Sequence, residues 1–157
     1  MGRKAEAAAI AVMIVLAAGN APAAEKGTYE GTWKLNVEQS HYPAMMPTIK
    51  DHVMVVSLDD GKLLKYTDNF TIGDKTSHVS FDGAYDGKPY KTTNGQDMHV
   101  VHTKTGYKDH WEDPNGSTGI DVCDFTENMT VMTCHSSFTP KGAKEPVTFM
   151  EVWNKVQ

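Results

Sequence analysis

From about residue 25 onward the sequence runs in short stretches of alternating apolar and polar residues. Turn signals cut these stretches at regular intervals: Asp59-Asp60-Gly61, Gly73-Asp74, Asp82-Gly83, Asn94-Gly95, Thr105-Gly106 and Asp113-Pro114-Asn115-Gly116. Alternation with period 2 places every second side chain on one face of an extended chain. Glycine, asparagine, aspartate and proline clusters between such runs mark the turns. The pattern predicts strands over 49–58, 62–72, 75–81, 97–104, 107–112, 119–126, 130–138 and 147–156. Residues 84–90 read as turn-like, with a short edge strand, and 37–48 and 140–146 read as loops. No convincing helical period occurs in this part. The expected fold is therefore all-β: an antiparallel up-and-down β-barrel of about 8–10 strands, with a sandwich as the other arrangement. Closure of the last strand on the first removes exposed sheet edges.

The first strand opens at Tyr29. Tyr29, Gly31, Trp33 and Leu35 share one face, and Glu30, Thr32, Lys34 and Asn36 the other. Gly31 lets a backbone or a large ring lie against the strand, and Trp33 can bury roughly 200 Å² and plug one barrel end. This stretch resembles the Gly-x-Trp signature on the first strand of lipocalins. The longer run Gly31-Thr32-Trp33-Lys34-Leu35-Asn36, with Ser40 and Pro43 following, is similar to a group of small bacterial secreted lipocalin-like (calycin-type) proteins. The resemblance implies a barrel with an interior site. One feature departs from it. Lipocalins usually pack an arginine from the last strand over the motif tryptophan, and here the only arginine is Arg3. Lys155 is the residue expected to stand in, without the planar stacking of a guanidinium.

Residues 1–24 read as a signal peptide. Arg3 and Lys4 make a positive start, Ala7 to Ala18 is apolar but too short to span a bilayer, and Ala21-Pro22-Ala23 supplies a cleavage site, with Ala24 adjacent. The expected organisation is a cleaved signal helix (1–24) and one lipocalin-like β-barrel domain (25–157), exported to the periplasm or secreted, with no membrane insertion after cleavage. Removing Arg3, Lys4 and Glu6, together +1, takes the formal charge from −5 to −6. An acidic chain without arginine is poorly suited to nucleic acid or to tight docking on an anionic membrane. Two cysteines in an exported chain suggest one disulfide. If Asn128-Met129 is a two-residue turn, Cys123 lies opposite Cys134 as a hydrogen-bonded pair, about 5.5 Å between Cα atoms. A register shifted by two places Met132 there instead.

The seven histidines are His41, His52, His78, His99, His102, His110 and His135. With the abundant methionine they raise a copper or zinc question. The spacing does not support one: His99 and His102 point to opposite faces, and no His-x-His pair occurs. Met45-Met46 beside His41 reads as loop packing. No metal and no cofactor is expected. A catalytic site is not indicated either, since no Gly-x-Ser-x-Gly, phosphate loop or His-Glu-x-x-His occurs. The carboxylate pairs Asp59-Asp60 and Glu112-Asp113 read as solvated turn residues.

A pocket is the natural place for function. Asp68 is in register with Leu64, Tyr66, Phe70 and Ile72, and Glu151 lies between Phe149 and Trp153. Carboxylates on inward faces need partners, from protein or ligand. Trp111 shares a face with Tyr107. The candidate ligand-binding residues are Tyr66, Asp68, Phe70, Trp111, Phe149 and Glu151. The expected function is binding of a small, mostly apolar (hydrophobic) ligand in the barrel interior. The alternative is a structural or interaction protein of the cell envelope with a filled barrel. An enzyme using Asp68 or Glu151 as general base is the third reading, and it requires a carboxylate of raised pKa inside a cleft.

Overall fold

The computed structural model describes residues 29–47, 49–126 and 128–156. The signal-peptide segment lies outside the described residues. Ten strands follow in chain order: β1 (Gly31–Leu35), β2 (Ile49–Asp59), β3 (Leu63–Ile72), β4 (Lys75–Ala84), β5 (Tyr90–Lys91), β6 (Asp97–His102), β7 (Gly106–Glu112), β8 (Thr118–Phe125), β9 (Val131–Thr139) and β10 (Val147–Lys155). They form one antiparallel sheet in the order β4, β3, β2, β1, β10, β9, β8, β7, β6, β5. Sequence neighbours pair, apart from β4 and β5 at the two ends of that order, and β1 pairs with β10 as well as β2. The end strands meet around Ser80: its carbonyl accepts the Thr93 N–H (3.0 Å), and its N–H donates to Thr93 Oγ1 (2.8 Å). The result is a nearly closed up-and-down barrel with no helix among the described residues.

One end of the barrel is filled. Trp33 is fully buried, and its indole N–H donates to the Tyr29 carbonyl at 2.8 Å. Tyr29 stacks on Phe125 with ring centroids 4.1 Å apart, and Phe125 meets Trp33 edge-on at 5.3 Å. Lys155, paired with Trp33 in register, places its ammonium 5.5 Å from the indole centroid. The use of Gly31 is conformational: its φ of 131° is a backbone state that side chains disfavour. Burying a Trp33-sized side chain contributes roughly 5 kcal/mol at about 25 cal/mol per Å².

The disulfide joins Cys123 to Cys134, which are partners in the β8–β9 register. The hydrogen-bond parity differs from the expectation. The pair is a non-hydrogen-bonded one, with Cα atoms 4.0 Å apart. The reason lies in the turn. The Thr126 N–H bonds the Val131 carbonyl at 2.9 Å, so the connection is longer than two residues and the bonded rungs shift by one. Asn128 Oδ1 holds this turn by accepting the hydroxyls of Thr126 and Thr130, each at 2.8 Å.

Two other expectations are corrected. Asp82-Gly83 is not a turn but part of β4, paired with Lys65 and Leu64. A Cβ at Gly83 would come within 2.5 Å of the Phe81 ring and 2.8 Å of the Tyr90 ring, so the glycine makes room for two aromatics. Asp59 is not a solvated turn residue. A register shift between Val56 and Leu58 turns it inward, where it is 4% exposed and accepts the Tyr29 N–H at 2.8 Å. Burial and this carboxylate push the Tyr29 hydroxyl up to about 12.

Trp33→Ala is expected to cost about 3–5 kcal/mol and the paired change Cys123→Ser with Cys134→Ser about 2–3 kcal/mol, both read from denaturant unfolding midpoints.

Candidate functional site

Strand direction puts Phe70, Gln96, Trp111, Asp121 and Phe149 at the end opposite the Trp33 plug. A cavity of about 240 Å³ occupies this half of the interior. Tyr66, Asp68, Phe70, Trp111, Phe149 and Glu151 all line it. The two inward-face carboxylates and the aromatic residues singled out in the sequence are therefore brought together. Phe70, Trp111, Phe149 and Glu151 are half-buried, so the cavity opens to solvent on this side. Beneath the Trp33 end only about 10 Å³ remains, among Tyr29, Met54, Val56 and Phe125.

The walls are largely apolar, and among the polar lining groups four are carboxyls: Asp68, Asp109, Asp121 and Glu151. Asp68 Oδ1 lies 2.9 Å from His52 Nε2, and His52 packs edge-on to Trp153 at 4.4 Å. Glu151 is held at both oxygens: the Tyr42 hydroxyl donates to Oε1 (2.7 Å) and the Trp153 indole to Oε2 (3.2 Å). Burial nonetheless raises the Glu151 pKa, outweighing those donors. The Tyr42 hydroxyl is pushed up by its own burial and then by the Glu151 charge.

The cavity has a third acidic element that sequence reasoning missed. Asp109 on β7 and Asp121 on β8 are directly opposite in register. Asp109 is 8% exposed, and its Oδ1 is buried without a hydrogen-bond partner. Desolvation first, then the Asp121 carboxylate, hold the Asp109 pKa well above the usual carboxylate range. Asp121 Oδ2 also accepts the Trp111 indole N–H at 3.2 Å. That indole lies across Gly119, where any Cβ would strike the ring. Ser136, opposite Asp121 on β9, is buried with its hydroxyl unpartnered.

Two tyrosines floor the cavity. The Tyr66 hydroxyl donates to Met98 Sδ at 3.1 Å and the Tyr107 hydroxyl to Met132 Sδ at 3.7 Å. Burial, reinforced by the nearby aspartates, raises both phenols. Among the described residues no lysine or arginine lines the cavity.

The signal for the missed pair was present. Asp109 sits between Tyr107 and Trp111 on the inward face, and Asp121 is two residues from Cys123. His52 was hidden differently: it is in phase with the buried Met54 and Val56, but Val53 and Val55 make the other face equally apolar in sequence. The remaining histidines do not join the cavity lining. His102 stacks on Tyr85 at the filled end, and His99 lies 5.5 Å from His110. No group of three His, Cys, Asp or Glu side chains suited to a metal ion occurs among the described residues.

Comparison of the sequence with protein-family models and with curated proteins gives no match in either case.

Asp109 supplies a pH test. Its folded pKa is raised, so its stabilising contribution is complete below the unfolded value near 3.9 and is lost as pH rises through the folded value. Asp109→Asn keeps the shape of the neutral carboxyl and does not titrate. The variant is expected to gain on the wild type as pH rises above about 4, by at most about 1.4 kcal/mol per pH unit. Urea unfolding at several pH values measures this, and parallel curves would count against a proton held on Asp109 by burial.

Proposed function

We propose that this is an exported, lipocalin-like binding protein that holds one small, mostly apolar molecule in its barrel. The observation that carries the reading is the 240 Å³ cavity lined by aromatic side chains and a few polar groups. A filled barrel leaves no such volume. An apolar cavity of about 150 Å³ takes a benzene-sized guest, so this one suits about ten non-hydrogen atoms. Haem, retinoids and long-tailed quinones need more room, as ligands of that size occupy roughly 300–1,000 Å³.

Export is supported by the disulfide, which suits an oxidising compartment, and by the signal-like residues 1–24. The periplasm or the medium is the proposed location, with cleavage near Ala23 or Ala24. The likeness of residues 31–36 to the first strand of bacterial lipocalin-like proteins points the same way. An enzymatic reading gains one condition, since Glu151 is a carboxyl of raised pKa in a cavity. Its two oxygens are already occupied by Tyr42 and Trp153, which suits a fixed binding group better than a general base.

Native mass spectrometry of the mature protein, purified gently from the envelope fraction, is expected to show a retained mass of roughly 120–200 Da, the range of about ten non-hydrogen atoms set by the cavity. A guest present at a hundredfold excess over its Kd should stabilise the fold by about 2.7 kcal/mol in thermal unfolding. A bare chain mass, with no shift from any guest of this size, would replace the reading with the filled-barrel interaction protein.

A further inference from the structure

We propose that the cavity's guest is a small organic cation, an amine of about ten non-hydrogen atoms with an apolar body, and that the Asp109–Asp121 pair receives its charge. The inference rests on the binding reading and adds the chemical class.

Four carboxyl groups face the cavity: Asp68, Asp109, Asp121 and Glu151. Asp68 has His52 beside it, and Glu151 has two hydrogen-bond donors. Asp121 has the Trp111 indole. Asp109 lines the cavity, and its buried Oδ1 has no hydrogen-bond partner. Like charges directly opposite across a strand pair are destabilising. A proton that burial keeps on Asp109 relieves that cost, but an ammonium N–H placed between the two carboxyls relieves it better. It supplies up to three donors and a full positive charge.

The rest of the lining fits the same guest. Trp111, Trp153, Phe70 and Phe149 present aromatic surface to an apolar body and attract a cation at their faces. An anionic guest would meet four carboxyls and no lysine or arginine among the lining residues.

The test compares three probes of nearly equal size by isothermal titration calorimetry on the mature protein at pH 7.5: phenethylamine, neutral 2-phenylethanol and anionic phenylacetate. Phenethylamine is expected to bind at least tenfold more tightly than 2-phenylethanol, with phenylacetate weakest. Asp109→Asn is expected to bring the amine-to-alcohol ratio close to one while leaving 2-phenylethanol affinity within about twofold. Should that variant fail to fold, Asp121→Asn makes the same comparison.

Amine binding should also displace the proton that burial keeps on Asp109, so its affinity rises with pH. The groups facing Asp109 are Asp121 on β8, Tyr66 and Asp68 on β3, His52 on β2, Tyr107 on β7 and Glu151 on β10. Glu151→Gln separates its share of that slope. If 2-phenylethanol or phenylacetate binds as well as the amine, the cation proposal falls and the binding reading stands. If none of the three binds, both fall.

Discussion

In a closed sheet with alternating residues, every second side chain has nowhere to go but the interior. The rest of this molecule follows from how that perimeter is filled. Ten strands enclose more space than their inward side chains can occupy at crystal-like density. At one end three aromatic rings close the gap: Trp33, with Tyr29 stacked on Phe125. At the other end no comparable group is supplied. Phe70, Trp111 and Phe149 line the walls without meeting in the middle, and the volume remains. The cavity is thus what is left over once the plug is placed at the first-strand end, where Trp33 is fixed by the Tyr29 carbonyl and by Lys155.

The same constraint explains why the inward carboxylates are so fully paired. An inward carboxylate cannot rotate to water, so it must find a donor or keep a proton. Asp59 takes the Tyr29 N–H, Glu151 takes a phenol and an indole, and Asp68 takes a histidine. Of these carboxyls Asp109 alone keeps a buried oxygen with no donor, and desolvation holds its pKa up. The two ends of the barrel therefore differ: the carboxylate at the plug end is satisfied, and the open end holds one carboxyl with an unpartnered oxygen.

Much of this was legible in the sequence. Counting from the 128–129 turn gave the Cys123–Cys134 register, because paired positions sum to a constant whatever the turn type. That sum does not determine which rungs carry hydrogen bonds, so the parity came out reversed. Simple alternation placed Asp68 and Glu151 inward. Asp109, in phase with Tyr107 and Trp111, and Asp121, in phase with Cys123, were equally legible by that rule. Asp59 was beyond it. It follows a register shift, and a bulge flips every later side chain to the other face without leaving a mark in the residue pattern. His52 keeps phase with the buried Met54 and Val56, but Val53 and Val55 between them hide which face turns inward. The cavity's volume was not legible at all, since it depends on how ring planes meet across the barrel.

The acidic pair also bears on where the fold keeps its strength. Asp109 and Asp121 face each other across β7 and β8, two rungs from Tyr107–Cys123. The disulfide joins Cys123 to Cys134 across β8 and β9, and Cys134 is itself opposite Glu151 on β10. One covalent link therefore ties β8 to β9 two residues from Asp121, and it borders the strand that carries Glu151, the other raised carboxyl. The link limits how far β8 and β9 can separate beside these buried carboxyls, so local opening near that rung is confined to the β7 side of β8.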